Sequence, residues 1–408
     1  MKATLPLFLA CSLAPLAGAD KAVTATMTGH VNRPAELDPT PERLAKLKIG
    51  KGFTLAVFAK DLEAPRMMAT TPDGRVYVTR RGEKGDVLLL EDKDGDGTAE
   101  VPRTVLKLPH VHGIAIQDGT VYVSTVREIY SAEIGKDGSF GELKKLYDDL
   151  PDAGQHPNRT LGFSPEGKLF LSVGSTCNAA PEPNKESATM LEIATDGSKR
   201  TIHASGLRNT IGFAWHPESG KLYGMDHGID WLGDDSQKEE LNELKEGKKY
   251  GWPFVFEDGK ANPARSPEET EGMTWEEYAK ECEPSLLTTT AHSAPMALIF
   301  PSTKSFPKDF AGDALVTLHG SWNRGTPSGY AVMRLRFKDG APAEFEEFVS
   351  GFCDESGQFG RPCGLVEWKD GSVLMSDDGG GMIYRISNSA KEDEKKVLDP
   401  IPAGAEKS

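Results

Sequence analysis

Apolar and polar positions along the chain fall into one recurring unit: a short alternating apolar strand, a glycine turn, and a second apolar strand. Met67 to Val78 forms the first copy around Gly74, Gly113 to Val123 the second around Gly119, and Thr160 to Leu171 the third around Gly167. Ile211 to Tyr223 repeats it around Gly220, Pro295 to Thr317 is a looser copy around Gly312, and Cys363 to Met375 closes the series around Gly371. The strands are rich in Val, Leu, Phe and Tyr, and the turns read Asp-Gly, Glu-Gly or Ser-Gly, which suits hairpins. The turn glycines lie 45, 48, 53, 92 and 59 residues apart. Periods of about 40–50 residues with several strands per unit belong to propeller blades. The six copies therefore predict an all-β fold, a six-bladed β-propeller over residues 51–387.

The remaining stretches organise around that repeat. The long interval predicts an insertion after blade four, about residues 230–282, with a helix around Thr274–Glu281. Residues 20–50 read as a polar lead-in with a short helix from Glu42 to Lys48, and 388–408 as a charged, solvated tail. At the start, Lys2, the apolar run Leu5–Leu16 and Ala17-Gly18-Ala19 predict a signal peptide over 1–19, cleaved before Asp20. Phe8-Leu9-Ala10 before Cys11 is a poor lipobox, which argues against a lipid anchor. No other stretch approaches the roughly 20 apolar residues of a membrane span. The protein is thus expected in the periplasm or outside the cell.

Charge and cysteines narrow the picture. A formal net charge of −15 repels nucleic acid and anionic membranes, so any basic cluster serves a local purpose. Cleavage leaves Cys177, Cys282, Cys353 and Cys363. An even number in an oxidising compartment predicts disulfides, Cys353 with Cys363 across a short loop and Cys177 with Cys282, against the alternative of buried free thiols.

In a propeller, the loops leading into the first strands and out of the second strands open on one face, so equivalent positions converge on the axis. Ahead of the six first strands stand Arg66, His112, His156 with Arg159, Arg208-Asn209, His292 and Arg361. The second-strand exits add Arg80, Thr176, Asn178, Asp226-His227-Gly228, His319, Trp322-Asn323-Arg324 and Asp377. An acidic protein has gathered arginines and histidines at one funnel. Arginine pairs with carboxylates bidentately, so a polycarboxylate ligand fits, and the histidines offer a general base. Taken singly, each residue is equally well a turn residue paired with a nearby acid.

At these positions the chain resembles the soluble pyrroloquinoline quinone (PQQ)-dependent aldose sugar dehydrogenases, especially their sorbosone dehydrogenase branch, from about Gly52 to Ile386. The resemblance is carried by His156-Pro157-Asn158-Arg159-Thr160-Leu161, Gly206-Leu207-Arg208-Asn209 and Asp226-His227-Gly228. Asn242-Glu243-Leu244, Tyr250-Gly251-Trp252-Pro253, Gly320-Ser321-Trp322-Asn323-Arg324 and Gly360-Arg361-Pro362 extend it. The resemblance implies a six-bladed propeller with PQQ and Ca2+ on the axis. It implies that His156 is the base for the sugar C1 hydroxyl, and that Arg208 and Asn209 contact PQQ, with Arg208 polarising the quinone. It further implies backbone carbonyls of Gly228 and Ile229 on calcium, and PQQ contacts from Arg324, Arg361, His112 and Arg159. The substrate would be an aldose, oxidised to a lactone, or a sugar aldehyde, with a quinone or small cytochrome as external acceptor. Two positions depart from the family pattern: His112 replaces a glutamine, and Gln155 stands where an acidic residue precedes the base.

Weaker signals remain. Asp92-x-Asp94-x-Asp96-Gly97 resembles the start of an EF-hand loop, but its twelfth position is Arg103. Asp234, Asp235, Glu239 and Glu240 read as a solvated acidic turn before a helix, or as a second calcium site. Trp322 suits a sugar ring or blade packing; Trp252 suits packing. Competing functions are a calcium-dependent lactonase, which needs a carboxylate-rich centre, and a non-catalytic binding propeller, which needs no base.

Overall fold

Six sheets stand around one axis, each with four antiparallel blade strands and two of them carrying a short fifth strand, and the first two strands of each coincide with a predicted hairpin. The computed structural model describes residues 27–151 and 154–389; the expected signal peptide, residues 20–26 of the lead-in and the tail from 390 lie outside the described residues. The hairpins are Met68–Thr70 with Val76–Arg80, Ile114–Gln117 with Thr120–Ser124, and Leu161–Phe163 with Leu169–Val173. They continue with Phe213–Trp215 and Leu222–Asp226, Pro295–Ile299 and Ala314–Leu318, and Pro362–Glu367 and Val373–Asp377. The second strands are almost wholly buried because neighbouring blades cover both faces of each sheet.

The ring is closed by a strand that the repeat did not contain. Phe53–Ala59, from the N-terminal side, pairs with Met382–Asn388 and so supplies the outer strand of blade six. Its Phe53 ring packs against Phe306, Phe310 and Phe348. Closure of this kind ties the two ends of the propeller together with backbone hydrogen bonds and leaves blade six with no missing strand.

A second device recurs between blades. A hydroxyl near the axial end of a second strand donates to a backbone carbonyl at the start of the next blade. Thr79 reaches His112 at 2.8 Å, Ser124 reaches Arg159 at 2.9 Å, Thr317 reaches Cys363 at 2.5 Å, and Ser376 reaches Arg66 at 2.5 Å. Each buried bond contributes about 1 kcal/mol. Its larger effect is geometric, since it fixes where the axial loops begin.

Three expectations are corrected. The helix expected over Glu42–Lys48 is only Pro41–Leu44, and Lys48–Ile49 is instead a strand on the outer edge of blade five. There Ile49, with Leu44 and Leu47, packs onto the apolar cluster shared by blades five and six, and that burial outweighs a short exposed helix. The insertion lies inside blade four, mostly between its third strand Glu239–Glu243 and its fourth strand Leu287–Thr289, rather than after the blade. It carries helix Trp275–Glu281, opened by a capping box: the Thr274 hydroxyl accepts from Glu277 N at 3.2 Å, and the Glu277 carboxylate accepts from Thr274 N at 2.9 Å. All four described cysteines are free thiols. Cys363, in the first strand of blade six, is buried in a cluster dominated by residues of blades one and two, while Cys353 packs on the blade five–six cluster. Cys177 and Cys282 likewise belong to different clusters, so neither expected disulfide forms.

Candidate active site

The loop that leads into blade three is braced by its own arginine. Arg159 is fully buried, and its guanidinium donates to the carbonyls of His156 at 2.9 Å, Asn158 at 3.2 Å and Pro151 at 3.0 Å. The loop therefore presents His156 in a fixed orientation. His156 Nδ1 lies 2.9 Å from the Ser175 carbonyl and 2.9 Å from the Ser175 hydroxyl. That hydroxyl in turn donates to Cys177 O at 2.7 Å, so Nδ1 carries the hydrogen and Nε2 is left as an acceptor. Burial, then the charges of Arg208 and His227, push the imidazole pKa down to about 2, so the ring is neutral and basic in form across the physiological range. Gly174 makes this arrangement possible. A Cβ there would sit 2.6 Å from His156 Cβ and 2.8 Å from Asn209 Oδ1.

Arg208 and Asn209 hang from one carboxylate. Asp226, at the end of the second strand of blade four, accepts from Arg208 N at 2.8 Å, Asn209 N at 2.8 Å and the Thr210 hydroxyl at 2.9 Å. The Arg208 side chain then reaches Asn178 O at 3.1 Å, Asn178 Oδ1 at 2.7 Å and the Asp230 carboxylate at 2.8 Å. Asn209 Nδ2 donates to His227 Nδ1 at 3.4 Å, while His227 Nε2 donates to Pro295 O at 2.6 Å.

These groups surround a cavity of about 230 Å³ lined by His156, Arg208, His227, Gly228, Asp230 and Glu239, among others. Asp230 and Glu239 add two carboxylates to a funnel that the sequence reads as Arg and His. Asp230 also accepts from Gln155 at 3.2 Å and from Asn323 at 2.9 Å. Gln155, which replaces the expected acid, thus orients Asp230, while Ser175 orients His156. Glu239 is a buried strand residue that accepts from Gly228 N and Ala294 N, both at 3.0 Å. Burial raises its pKa to about 7 against those two hydrogen bonds. Glu240 is buried as well, so the solvated-turn reading of this acidic cluster is replaced, for these two residues, by an interior strand. Sequence reasoning missed Asp230 as a site residue; its position two after Gly228 was the available signal. At Gly228 a Cβ would fall 1.9 Å from Gln237 O, so only glycine permits this close approach. The neighbouring Ile229 side chain packs with Ala188, Leu232 and Trp252.

The other expected site residues are distributed differently. His112 is buried on the axis, with Nδ1 3.2 Å from Arg159 O and Nε2 without a partner among the described residues. Arg66 pairs with Asp378, which also takes His319 Nε2 at 2.6 Å. Burial works against ionisation of Asp378, but His319 and Arg66 hold its carboxyl well below the usual range. Arg361 donates to His319 O at 3.2 Å and Gly320 O at 3.0 Å and stands beside this cluster. Arg324 turns away from the cavity to Asp235 at 2.6 Å; its neighbours Trp322 and Asn323 line the cavity instead. The three carboxylates of Asp92, Asp94 and Asp96 converge within 4.8 Å on a turn of blade one, outside the cavity.

Comparison with known proteins places the chain. The TrAA12-like family model matches residues 47–389. The chain belongs to the TrAA12-like family. Among curated relatives of this TrAA12-like chain is an uncharacterized protein of Borreliella burgdorferi, 29% identical over 365 residues, covering 85% of this chain and 92% of the relative. A pyrroloquinoline quinone-dependent sugar dehydrogenase of Hypocrea jecorina is 24% identical over 241 residues, covering 50% and 56% respectively. The fold matches a Trichoderma reesei Carbohydrate-Active Enzymes Family AA12 structure with calcium at a TM-score of 0.73, with 21% identity over 86% of this chain and 98% of the other. It matches the holo PQQ domain of a Coprinopsis cinerea pyranose dehydrogenase at 0.70, with 18% identity over 88% and 100%. The resemblance to soluble PQQ-dependent sugar dehydrogenases and the six-bladed fold are therefore established for this TrAA12-like chain. No helix among the described residues is long and apolar enough to cross a membrane.

Proposed function

We propose that this chain oxidises a sugar-type substrate with PQQ and Ca2+, converting an aldose to a lactone or acting on a sugar aldehyde. The observation that carries the reading is His156 Nε2, a neutral imidazole acceptor held at the same cavity as the Arg208 guanidinium. The donor set fits an anionic, aromatic polycarboxylate. Buried Arg208 and the nearby Arg361 offer positive groups, and the partnerless Nε2 of His112, whose ring is neutral with Nδ1 donating to Arg159 O, offers an acceptor. In this assignment Arg208, Asn209, Arg361 and His112 hold PQQ. The carbonyls of Gly228 and Ile229 hold Ca2+. Arg159 serves by bracing the His156 loop, and Arg324 meets PQQ only by leaving Asp235.

When bound, PQQ supplies the electrophilic carbon that accepts hydride. The protein supplies the rest. His156 Nε2 takes the proton of the sugar hydroxyl, and the imidazolium charge is shared through Nδ1–H with the Ser175 carbonyl and hydroxyl. Arg208 sets a fixed positive charge where negative charge develops, and its four donor contacts keep it from reorienting. Asp230 and Asn323 close one side of the cavity. The two cavity carboxylates do not favour a lactonase, since Asp230 is occupied by hydrogen bonds from Arg208, Gln155 and Asn323 and Glu239 is spent on two backbone N–H groups. The electrons would pass to an external quinone or cytochrome, and the sequence of residues 1–19 supports action outside the cytoplasm.

The test is reconstitution. The mature protein is titrated with PQQ, with and without Ca2+, while the quinone absorbance is followed, and aldoses and sugar aldehydes are then added with a dye acceptor. Calcium-dependent stoichiometric uptake, with dye reduction abolished in His156→Ala, is the expected result. Failure to take up PQQ sinks the reading.

A further inference from the structure

One exposed aromatic stands beside two residues that line the cavity, Asp230 and Trp322, with no part in the proposed chemistry. Trp231 follows the cavity residue Asp230 and is 57% exposed, the only aromatic among the large exposed apolar side chains of the described residues. Its backbone is left-handed, with φ of +71°, a conformation that a bulky side chain adopts only when its surroundings impose it. Those surroundings are on both sides of it. Asp230 N donates to Asn178 Oδ1 at 2.9 Å, and Asn178 Nδ2 donates back to Asp230 O at 3.0 Å. Two residues past Trp231, Gly233 O accepts from His292 Nε2 at 2.8 Å. The indole itself stands edge-on to Trp322, centroids 5.0 Å apart and planes at 77°. Trp322 lines the cavity, and the Arg33 guanidinium lies 5.3 Å over its ring, so Trp322 is covered while Trp231 is open.

The turn is built to hold an indole in water at this place. The remainder of the cavity wall is mostly polar or charged. At about 230 Å³ the cavity is smaller than the ~300–1,000 Å³ of ordinary small-molecule sites, so it does not enclose a cofactor and a sugar together, and a sugar must meet the rim. A pyranose carries one face of C–H groups, which an aromatic ring matches, and a rim of hydroxyls, which Asp230, Gln155 and Asn323 match.

We propose that Trp231, oriented by Trp322, is the platform on which the pyranose ring of the substrate stacks, and that it is a specificity-determining residue of this enzyme. The proposal rests on the sugar-oxidising reading but is separable from it by binding. Trp231→Ala and Trp231→Phe, both at an exposed position, are compared with the unmodified protein. Cofactor-free protein is titrated with D-glucose, D-galactose and cellobiose by calorimetry, and PQQ uptake and dye reduction are measured on the same preparations. Loss of the indole should raise the sugar Kd and KM about three- to tenfold, with KM changing more than kcat, while Phe restores most of the affinity and PQQ uptake is untouched. Sugar affinity and KM unchanged in Trp231→Ala would overturn the platform and leave the dehydrogenase standing. No PQQ uptake with Trp231-dependent sugar binding would overturn the dehydrogenase and leave the platform. A protein that binds none of these sugars overturns the platform whatever its cofactor does.

Discussion

The Nδ1 atom of His156 lies 2.9 Å from the carbonyl oxygen of Ser175, and this contact fixes the tautomer that makes His156 a base. Ser175 N in turn donates to Arg208 O at 2.8 Å, so the base and the cationic group are referenced to the same backbone. A shift of either loop would move both.

His156 should make the fold acid-sensitive. Its pKa is pushed from 6.5 to about 2, foremost by burial, so between those values the unfolded chain carries a proton that the native state does not. Stability then rises with pH across that window, by about 1.4 kcal/mol per pH unit for this one group. In urea unfolding at pH 4 to 6, His156→Gln should show a slope shallower by about one proton equivalent. An unchanged slope would show that the imidazole titrates normally in the native state.

Asp226 should behave as a positioning residue. It accepts three hydrogen bonds from Arg208, Asn209 and Thr210 and does not itself line the cavity. Asp226→Asn keeps the shape but turns one acceptor oxygen into a donor facing a donor. Stability should fall by about 1–3 kcal/mol by chemical denaturation. PQQ affinity should fall with it, while the pH dependence of the remaining activity keeps its shape, because His156 is unaltered. A shifted pH profile would place Asp226 in the proton path instead.

The cysteines give a third check. Cys177, Cys282, Cys353 and Cys363 are free, so mature protein denatured without reductant should titrate as four thiols, and reductant should leave Tm unchanged. Fewer thiols would restore the disulfide expectation.

The sequence by itself determined the blades and the axial ring. Each hairpin is a local event in which alternation and a turn glycine suffice, and recurrence of the same unit makes the copies equivalent, so Arg66, His112, His156, Arg208, His292 and Arg361 were all legible as blade-leading positions. The capped helix at Thr274 was likewise written locally. Only the tertiary structure decided the rest, because it depends on partners far apart in the chain. The Phe53–Ala59 strand completes blade six from more than three hundred residues away, and Lys48–Ile49 leaves its expected helix for the blade-five ladder. Arg324 and Asn323 are adjacent in sequence yet face Asp235 and Asp230 respectively, a choice made by which acid each loop meets. Four cysteines of suitable number and spacing stay unpaired because each is packed into a different apolar cluster, and packing, unlike periodicity, has no one-dimensional signature.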